Sequence, residues 1–87
     1  MYKIVYTKKS TADVKNLKAT GLDKKAKALI DIIRENPYQS PPPYEKLQGK
    51  LFGAYSRRLN IKHRLVCEVL ENEQTVKIIS MWTHYEF

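Results

Sequence analysis

The last third of the chain constrains the fold most. Three segments there combine β-branched, aromatic and aliphatic residues, and short polar connections separate them. Two are basic, Ser56-Arg57-Arg58-Leu59 and Lys62-His63-Arg64-Leu65-Val66, and the third runs from Val76 to Trp82 before Thr83-His84-Tyr85. This composition and spacing predict consecutive β-strands of one sheet. Strands that follow one another through short connections pair antiparallel, so we expect antiparallel pairing here.

The N-terminal part predicts a strand followed by a short helix. Apolar and aromatic side chains alternate with others over residues 1–6, which is the period of a half-buried strand. We expect Ser10 to cap the helix and Asp13 to lie near its positive end. Gly21 is expected to end it.

A second helix is predicted from about Leu22 to Glu35, because apolar residues recur there at helical spacing. Asn36-Pro37 ends it, since the residue before a proline is pushed out of the α region. Pro41-Pro42-Pro43 then predicts a stiff, extended connector within one domain. The apolar stripe of the second helix consists of Leu22, Ala26, Leu29, Ile30 and Ile33.

This order of elements predicts an α+β fold. A chain of 87 residues is expected to form one domain with room for one sheet and one or two helices. The second helix must bury its stripe, and the sheet is the only large apolar surface. We therefore expect both helices on one face of a mostly antiparallel sheet, in the order β-α-α-β-β-β-β. The opposite face is expected to be open, basic and functional.

Charge and cysteine content limit the possible partners and compartments. Sixteen Lys and Arg against nine Asp and Glu give a net charge of +7. Such a field favours a nucleic acid or an acidic protein partner, and a merely solvated basic domain is the plainer alternative. One cysteine suits a reducing cytoplasm, and no signal peptide or membrane span is expected. Two histidines and one cysteine lack metal-ligand spacing, so no cofactor is expected.

The residue types present match the needs of RNA cleavage without a metal. That reaction needs a base for the 2′-OH, cations for the charge on phosphorus and an acid for the leaving 5′-oxygen. Glu45 can serve as the base, and Arg58 and Arg64 carry forked cations that match phosphate geometry. His84 titrates near neutrality and can serve as the acid. Rings for base stacking come from Tyr55 and Tyr85.

Period-two geometry relates these residues within each strand. It places Ser56 and Arg58 on one face of their strand and Arg57 on the other. Arg64 likewise shares a face with Glu68, so one arginine from each of two strands can meet a histidine from a third. The plainer alternatives are cross-strand pairs of these arginines with Glu68 or Glu71, a surface carboxylate and packing aromatics. Cys67 is predicted to be a buried small hydrophobe.

Four segments form a specific combination, with Ser-Arg-Arg, His-Arg-Leu-Val and a final His-Tyr. The segments are Pro43-Tyr44-Glu45-Lys46-Leu47, Gly53-Ala54-Tyr55-Ser56-Arg57-Arg58, Lys62-His63-Arg64-Leu65-Val66 and His84-Tyr85. Together they resemble the YoeB/Txe toxins of the RelE/ParE superfamily, and the likeness covers essentially the whole chain in order and length.

The resemblance implies a RelE/ParE-like fold and the toxin of a bacterial type II toxin–antitoxin pair. Such toxins enter the A site of the 70S ribosome and cut mRNA there without a metal. The family's general base matches Glu45 and its general acid matches His84. Its phosphate-binding arginines match Arg58 and Arg64, and its stacking aromatic matches Tyr85.

Partners are also implied by the resemblance. We expect an acidic, partly disordered antitoxin of the YefM/Axe type, which folds over the toxin and displaces its active C-terminus. Operator DNA is expected to bind only the toxin–antitoxin complex, and a homodimer is a further partner to consider. No membrane partner is expected.

The chain departs from the family pattern in three places. Gln48 stands where a lysine often follows the Glu-x-Leu unit, so Lys46 or Lys50 is expected to supply that charge. Cys67 stands where an aromatic is common. Glu86-Phe87 follows the His-Tyr pair, and a carboxylate beside His84 is expected to raise the pKa of its imidazole. The expected RNA contacts are Lys46, Lys50, Tyr55 and Arg57.

Two other functions stay open from the residues. A ParE-like toxin that poisons DNA gyrase shares the fold but generally lacks the Glu and terminal His-Tyr set, so Glu45, His84 and Tyr85 favour cleavage. A plain nucleic-acid-binding module would use the basic face alone and bind in a salt-dependent manner.

Overall fold

A computed structural model describes residues 1–83, which form a sheet and two α-helices. In chain order the elements are β1 (Lys3–Tyr6), α1 (Lys8–Thr20), α2 (Asp23–Glu35), β2 (Glu45–Lys46), β3 (Ala54–Arg58), β4 (Arg64–Leu70) and β5 (Thr75–Thr83). Short 3₁₀ turns at Gly49–Leu51 and Glu71–Glu73 precede β3 and β5. Within residues 1–83, neither helix has the length and apolar character to cross a membrane.

The five strands are ordered β1-β5-β4-β3-β2 across the sheet. Neighbours pair antiparallel from β2 to β5, while β1 pairs parallel with β5. The parallel pair is possible because the two helices and three strands between β1 and β5 provide a long crossover. The predicted α+β fold, with its β-α-α-β-β-β-β order and mostly antiparallel sheet, is confirmed.

The main core lies between the helices and one face of the sheet. The stripe of α2 packs there with Leu17 of α1, against apolar side chains of β4 and β5. Burying one Leu or Ile side chain contributes roughly 1.5–3 kcal/mol, so this layer supplies most of the hydrophobic stabilisation. Its buried members are Leu17, Ala26, Leu29, Ile30, Ile33, Leu59, Leu65, Cys67, Val76, Ile78 and Met81.

The start of α1 differs from the prediction. Thr7, not Ser10, is the N-cap, and its Oγ1 accepts a hydrogen bond from the Ser10 N–H at 3.1 Å. The helix therefore begins earlier and runs for 13 residues. Asp13 lies in its middle and is buried, not at its positive end. The predicted stop at Gly21 is confirmed: its φ of 76° is left-handed, and its N–H reaches the last carbonyls of the helix.

The far half of β5 extends beyond its partner β1. Pairing with β1 ends at Ile78, and side chains at the start of α1 take over from there. Thr7 Oγ1 donates to the Ile79 carbonyl at 2.7 Å. Asp13 Oδ2 accepts from the N–H groups of Met81 and Trp82 at 3.0 and 3.2 Å. These polar groups satisfy backbone that would otherwise be left without a strand neighbour.

A β-bulge in β5 explains why the N–H groups of the consecutive residues Met81 and Trp82 both point toward Asp13. Arg64 pairs with Thr83 and Val66 pairs with Ser80, so β5 has one more residue than β4 over this stretch. An extra residue in one strand bends it and increases its twist. Asp13 therefore holds the bulge at the point where β5 approaches its last described residue, Thr83.

Candidate active site

A cleft on the open face of the sheet collects several of the predicted residues. Its volume is about 210 Å³, and its lining comprises Pro43, Tyr44, Glu45, Ser56, Arg58 and Arg64. A larger cavity of about 370 Å³ lies on the helix side, and its lining includes Val14, Leu17, Ile30 and Met81. None of the predicted site residues that fall within residues 1–83 lines that larger cavity, so the smaller cleft is the candidate site.

Strand pairing brings the cleft together. Glu45 of β2 pairs with Ser56 of β3, and Arg58 of β3 pairs with Arg64 of β4. Ser56 and Arg58 project to the same side, as their spacing predicts. The register of three strands thus converts separate segments into one surface.

Glu45 and Arg64 are in direct contact in this cleft. Arg64 Nη1 lies 3.4 Å from Glu45 Oε1 and 3.5 Å from Ser56 Oγ. The Glu45 side chain keeps 53% of its exposure while Arg64 keeps 16%, so solvent screens the pair and its stabilising effect is small. An Arg–Glu pair was one plainer alternative, but the glutamate is Glu45 and not Glu68 or Glu71. Glu71 accepts hydrogen bonds from Tyr2 and Tyr38.

Arg58 and Arg64 face each other directly across β3 and β4. Like charges at opposed positions destabilise a sheet. Among the lining residues of the described part of the chain, Glu45 is the single carboxylate, and their formal charges sum to +1. A phosphate between the two guanidinium groups would relieve their repulsion and accept forked hydrogen bonds. The cleft is therefore suited to a phosphate group.

Arg57 does not line the cleft. Its burial contradicts the prediction that it contacts RNA. Its side chain points to the helix-side face and is 1% exposed. The guanidinium donates to backbone carbonyls of Pro37, Gln39 and Pro42. Burial lowers the pKa of Arg57, but a guanidinium remains charged at physiological pH.

The other predicted RNA contacts lie beside the cleft. Lys46 pairs with Tyr55 at the β2 edge of the sheet, and both line a separate depression of about 250 Å³. Lys50 is exposed in the 3₁₀ turn before β3. The Tyr55 ring is half-buried and packs edge-to-face against Tyr38 and Tyr44. Lys46 and Lys50 thus present charge at the sheet edge, while Tyr55 supports Tyr44.

Three lining residues, Pro43, Tyr44 and Ser56, were not predicted as site residues. Ser56 could have been found from its period-two relation to Arg58, which puts it on the same face. Tyr44 had a weaker signal, its position next to Glu45. Its ring lines the cleft and lies beneath the Arg57 guanidinium, at 4.9 Å from ring centroid to Cζ.

His84 and Tyr85, the predicted acid and stacking residue, lie outside the described residues, as does Glu86-Phe87. The described part of β5 ends at Thr83, which pairs with Arg64. The other histidine, His63, is 8% exposed and stacks on Trp82 with ring centroids 3.7 Å apart.

The Cys67 side chain is buried in the main core, and burial raises the pKa of its thiol to about 11. The prediction of a buried small hydrophobe is confirmed.

Over residues 1–83, no cluster of three or more His, Cys, Asp and Glu side chains is arranged to hold a metal ion.

The sequence and fold are similar to those of several known proteins. A family model described as "YoeB-like toxin of bacterial type II toxin-antitoxin system" matches residues 6–85. Toxin YoeB of Synechocystis is 35% identical over 63 residues, which cover 72% of this chain and 71% of that protein.

Solved structures show the same similarity. A YoeB/ParE toxin from Agrobacterium tumefaciens superposes with a TM-score of 0.86 at 29% identity, covering 95% of this chain and 99% of that one. A chain of the YoeB-YefM complex from Staphylococcus aureus gives 0.80 at 32% identity, covering 98% and 99%. YafQ from E. coli gives 0.77 at 19% identity, covering 95% and 93%, and shares the fold.

Proposed function

The chain belongs to the YoeB-like toxin family of bacterial type II toxin–antitoxin systems, and on that basis we propose that it is a ribosome-dependent endoribonuclease. It cuts mRNA in the ribosomal A site and so stops translation in the cytoplasm. The observation that carries this proposal is the meeting of Glu45, Arg58 and Arg64 in one cleft on the open face.

The proposed chemistry is an in-line transfer within the RNA. Glu45 takes the proton of a 2′-OH, and that oxygen forms a bond to the adjacent phosphorus. The bond from phosphorus to the 5′-oxygen breaks, and His84 donates a proton to the leaving oxygen. The products are a 2′,3′-cyclic phosphate and a 5′-OH. Arg58 and Arg64 stabilise the negative charge that builds on the phosphoryl oxygens.

The geometry around Glu45 supports its role as the base. Its carboxylate is anchored by Arg64 yet stays half-exposed, so a 2′-OH can reach it. A phosphate that enters the cleft competes with Glu45 for the Arg64 guanidinium. Arg64 would then bridge the base and the reacting phosphorus, which places the 2′-OH for attack.

Support for His84 as the acid comes from the register of β5. Thr83, its neighbour in the sequence, pairs with Arg64. His84 therefore follows, in the sequence, the residue that pairs with the proposed phosphate-binding arginine. We place Tyr85 against a base, and Lys46 and Lys50 against the RNA backbone at the edge of the cleft.

A type II toxin is neutralised by a protein antitoxin, and we propose an acidic antitoxin of the YefM/Axe type for this chain. The Staphylococcus aureus relative was solved as a YoeB-YefM complex and also as a YoeB dimer. The net charge of +7 favours an acidic partner and the phosphates of the 70S ribosome and its mRNA. We extend the proposal to a homodimer, and to operator DNA bound only by the toxin–antitoxin complex.

Primer extension on ribosomes programmed with a defined mRNA tests this function. We expect the wild type to produce a discrete cut in the A-site codon. His84→Gln and Arg64→Ala should each lower the cleavage rate by on the order of a hundredfold or more, because each removes a group that acts in the transition state.

Lys24→Ala is the charge-matched control, because it removes one positive charge from the exposed side of α2. It should cleave at the wild-type rate. A folded wild type that makes no cut would overturn the proposed function and make gyrase supercoiling the next assay. Full activity in either cleft variant would overturn the role of that residue.

A further inference from the structure

The segment between α2 and β2, residues 36–44, delivers Glu45 to the cleft and is called the connector below. It contains all four prolines of the chain, Pro37, Pro41, Pro42 and Pro43. Because proline lacks an N–H group, the connector has few donors with which to hold itself in place. The strand that follows, β2, is only two residues long. Its own pairing with β3 is thus a weak restraint on Glu45.

Arg57 supplies the donors that the connector lacks. Its Nη1 donates to the Pro42 carbonyl at 2.6 Å. Its Nη2 donates to the carbonyls of Pro37 and Gln39 at 3.1 and 2.9 Å. One rigid, planar guanidinium therefore joins the beginning, middle and end of the connector.

Tyr44 completes the surroundings of Arg57. The guanidinium lies over the Tyr44 ring, an arrangement in which the ring face attracts the cation. A buried cation is unfavourable unless polar groups replace its water. At Arg57 the three carbonyls and the ring do so. The side chain cannot move away without leaving these acceptors unsatisfied, so the contact is rigid.

The position of Arg57 links the connector to the cleft. Ser56 and Arg57 are consecutive in β3, and their side chains project to opposite faces of the sheet. Ser56 borders the cleft and pairs with Glu45. Arg57, whose side chain projects to the opposite face, contacts the ring of Tyr44, the residue before Glu45. The Glu45–Arg64 distance of 3.4 Å therefore depends on both sides of the same strand.

We propose that Arg57 is a positioning residue for Glu45, acting through the connector and Tyr44. This assignment rests on the proposed function, in which Glu45 is the base. Arg57 itself touches neither RNA nor the reacting atoms. Its contribution is to hold the connector so that the carboxylate enters the cleft at a fixed place beside Arg64.

A double-mutant cycle with Glu45→Ala tests this assignment. We expect Arg57→Met to lower kcat by on the order of tenfold to a hundredfold, because a displacement of about 1 Å can reduce a rate that much. KM should change by less than about twofold, since Arg58, Lys46 and Lys50 still bind RNA. Arg57→Lys should be intermediate, because lysine keeps the charge but not the fork. In the Glu45→Ala background, Arg57→Met should add less than about twofold.

Leu29→Ala is the stability control, because Leu29 lies in the main core and not at the connector. All rates are measured below the unfolding temperature of every variant. Leu29→Ala should lose stability and keep kcat. If Arg57→Met kept full kcat, or reduced it equally in the Glu45→Ala background, the assignment would be overturned.

Hydrogen–deuterium exchange provides a readout that does not need cleavage. Arg57→Met should speed exchange of the connector amides in residues 38–44, and Leu29→Ala should not. If Arg57→Met does not fold, Arg57→Lys serves for the same measurement. Unchanged connector exchange would overturn the assignment whatever the activity. A different outcome is that the wild type is inactive while connector exchange is faster only in the Arg57 variant. That result would overturn the proposed function and, with it, the link between Arg57 and catalysis.

Discussion

The helix-covered face of the sheet and its open face bury different kinds of residue. The covered face holds the main core, built from both helices and apolar residues of β4 and β5. The open face has a small cluster of Leu47, Ala54 and Val66, and beside it the cleft with its opposed arginines. The sheet thus separates the part of the molecule that stabilises it from the part that carries the candidate chemistry.

Arg57 and Arg58 show this difference between neighbouring residues. Both are arginines in β3, yet Arg57 is fully buried and Arg58 is exposed in the cleft. Arg57 binds the chain's own carbonyls, whereas Arg58 is the residue that we propose to bind a phosphate. In this proposal the same residue type has a structural or a functional role according to the face on which it lies.

The largest expected effect comes from the covered face. Ile33→Ala should lower the free energy of unfolding by about 2–5 kcal/mol, because it leaves a cavity in a closely packed core. Ile33 is 0% exposed. Chemical denaturation measures this loss, and cleavage measured below the unfolding temperature should be unchanged.

Arg64→Ala is the matched variant on the open face and should show the opposite pattern. It should lose activity while its free energy of unfolding changes by less than about 1 kcal/mol, since a screened ion pair contributes little. If Ile33→Ala abolished kcat, or Arg64→Ala unfolded the protein, the separation of the two faces would be wrong.

Asp13→Asn is expected to lower both stability and activity, because Asp13 lies on the covered side of the sheet but also binds the bulge of β5. The asparagine loses the ion pair with Lys9, whose Nζ lies 2.8 Å from Asp13 Oδ1. Its NH₂ group also cannot accept a hydrogen bond. We expect a loss of about 1.5–3 kcal/mol in stability together with a lower kcat, since β5 leads to His84.

Asp31→Asn is the control for this variant, because Asp31 is exposed and its contact with Arg34 is 3.8 Å long. It should change neither quantity measurably. If Asp13→Asn lost stability but kept full kcat, the bulge would not be needed for the geometry of the site.

The expected effect that is smallest at neutral pH is a pH dependence from Cys67, because it appears only in alkaline solution. Burial raises the pKa of its thiol from 9.0 to about 11, so between these values the unfolded chain loses a proton that the folded chain keeps. Stability is then fully present below about pH 9 and falls as pH rises, by at most about 1.4 kcal/mol per pH unit. Cys67→Ala should make this fall shallower, the remainder coming from Tyr2 and Tyr38, whose pKa values are also raised by burial and by Glu71; an identical alkaline profile in the variant would contradict the prediction.

Much of the fold was predictable because its signals are local. Helical spacing of Ala26, Leu29, Ile30 and Ile33 predicted α2 and its buried face, and Gly21 predicted the end of α1. The cap of α1 was mispredicted because Thr7 and Ser10 are both good caps. Thr7 prevails in the structure, where it also donates to the carbonyl of Ile79 in β5.

The candidate site was predictable in part. The residue types at Glu45, Arg58 and Arg64 pointed to phosphate chemistry, and all three line the cleft. The error at Arg57 arose because period-two spacing separates two faces without saying which one is covered. Only the connector, folded against β3, decided that the Arg57 face is closed.

By itself the sequence determined the order of the elements and which side chains share a face within β3 and within β4. Those properties depend on backbone periodicity over a few residues. The tertiary structure alone decided the register that joins Glu45 to Arg64, the bulge held by Asp13 and the burial of Arg57. Each of these depends on contacts between residues distant in the chain, and a shift of one residue in pairing would exchange the faces of a whole strand.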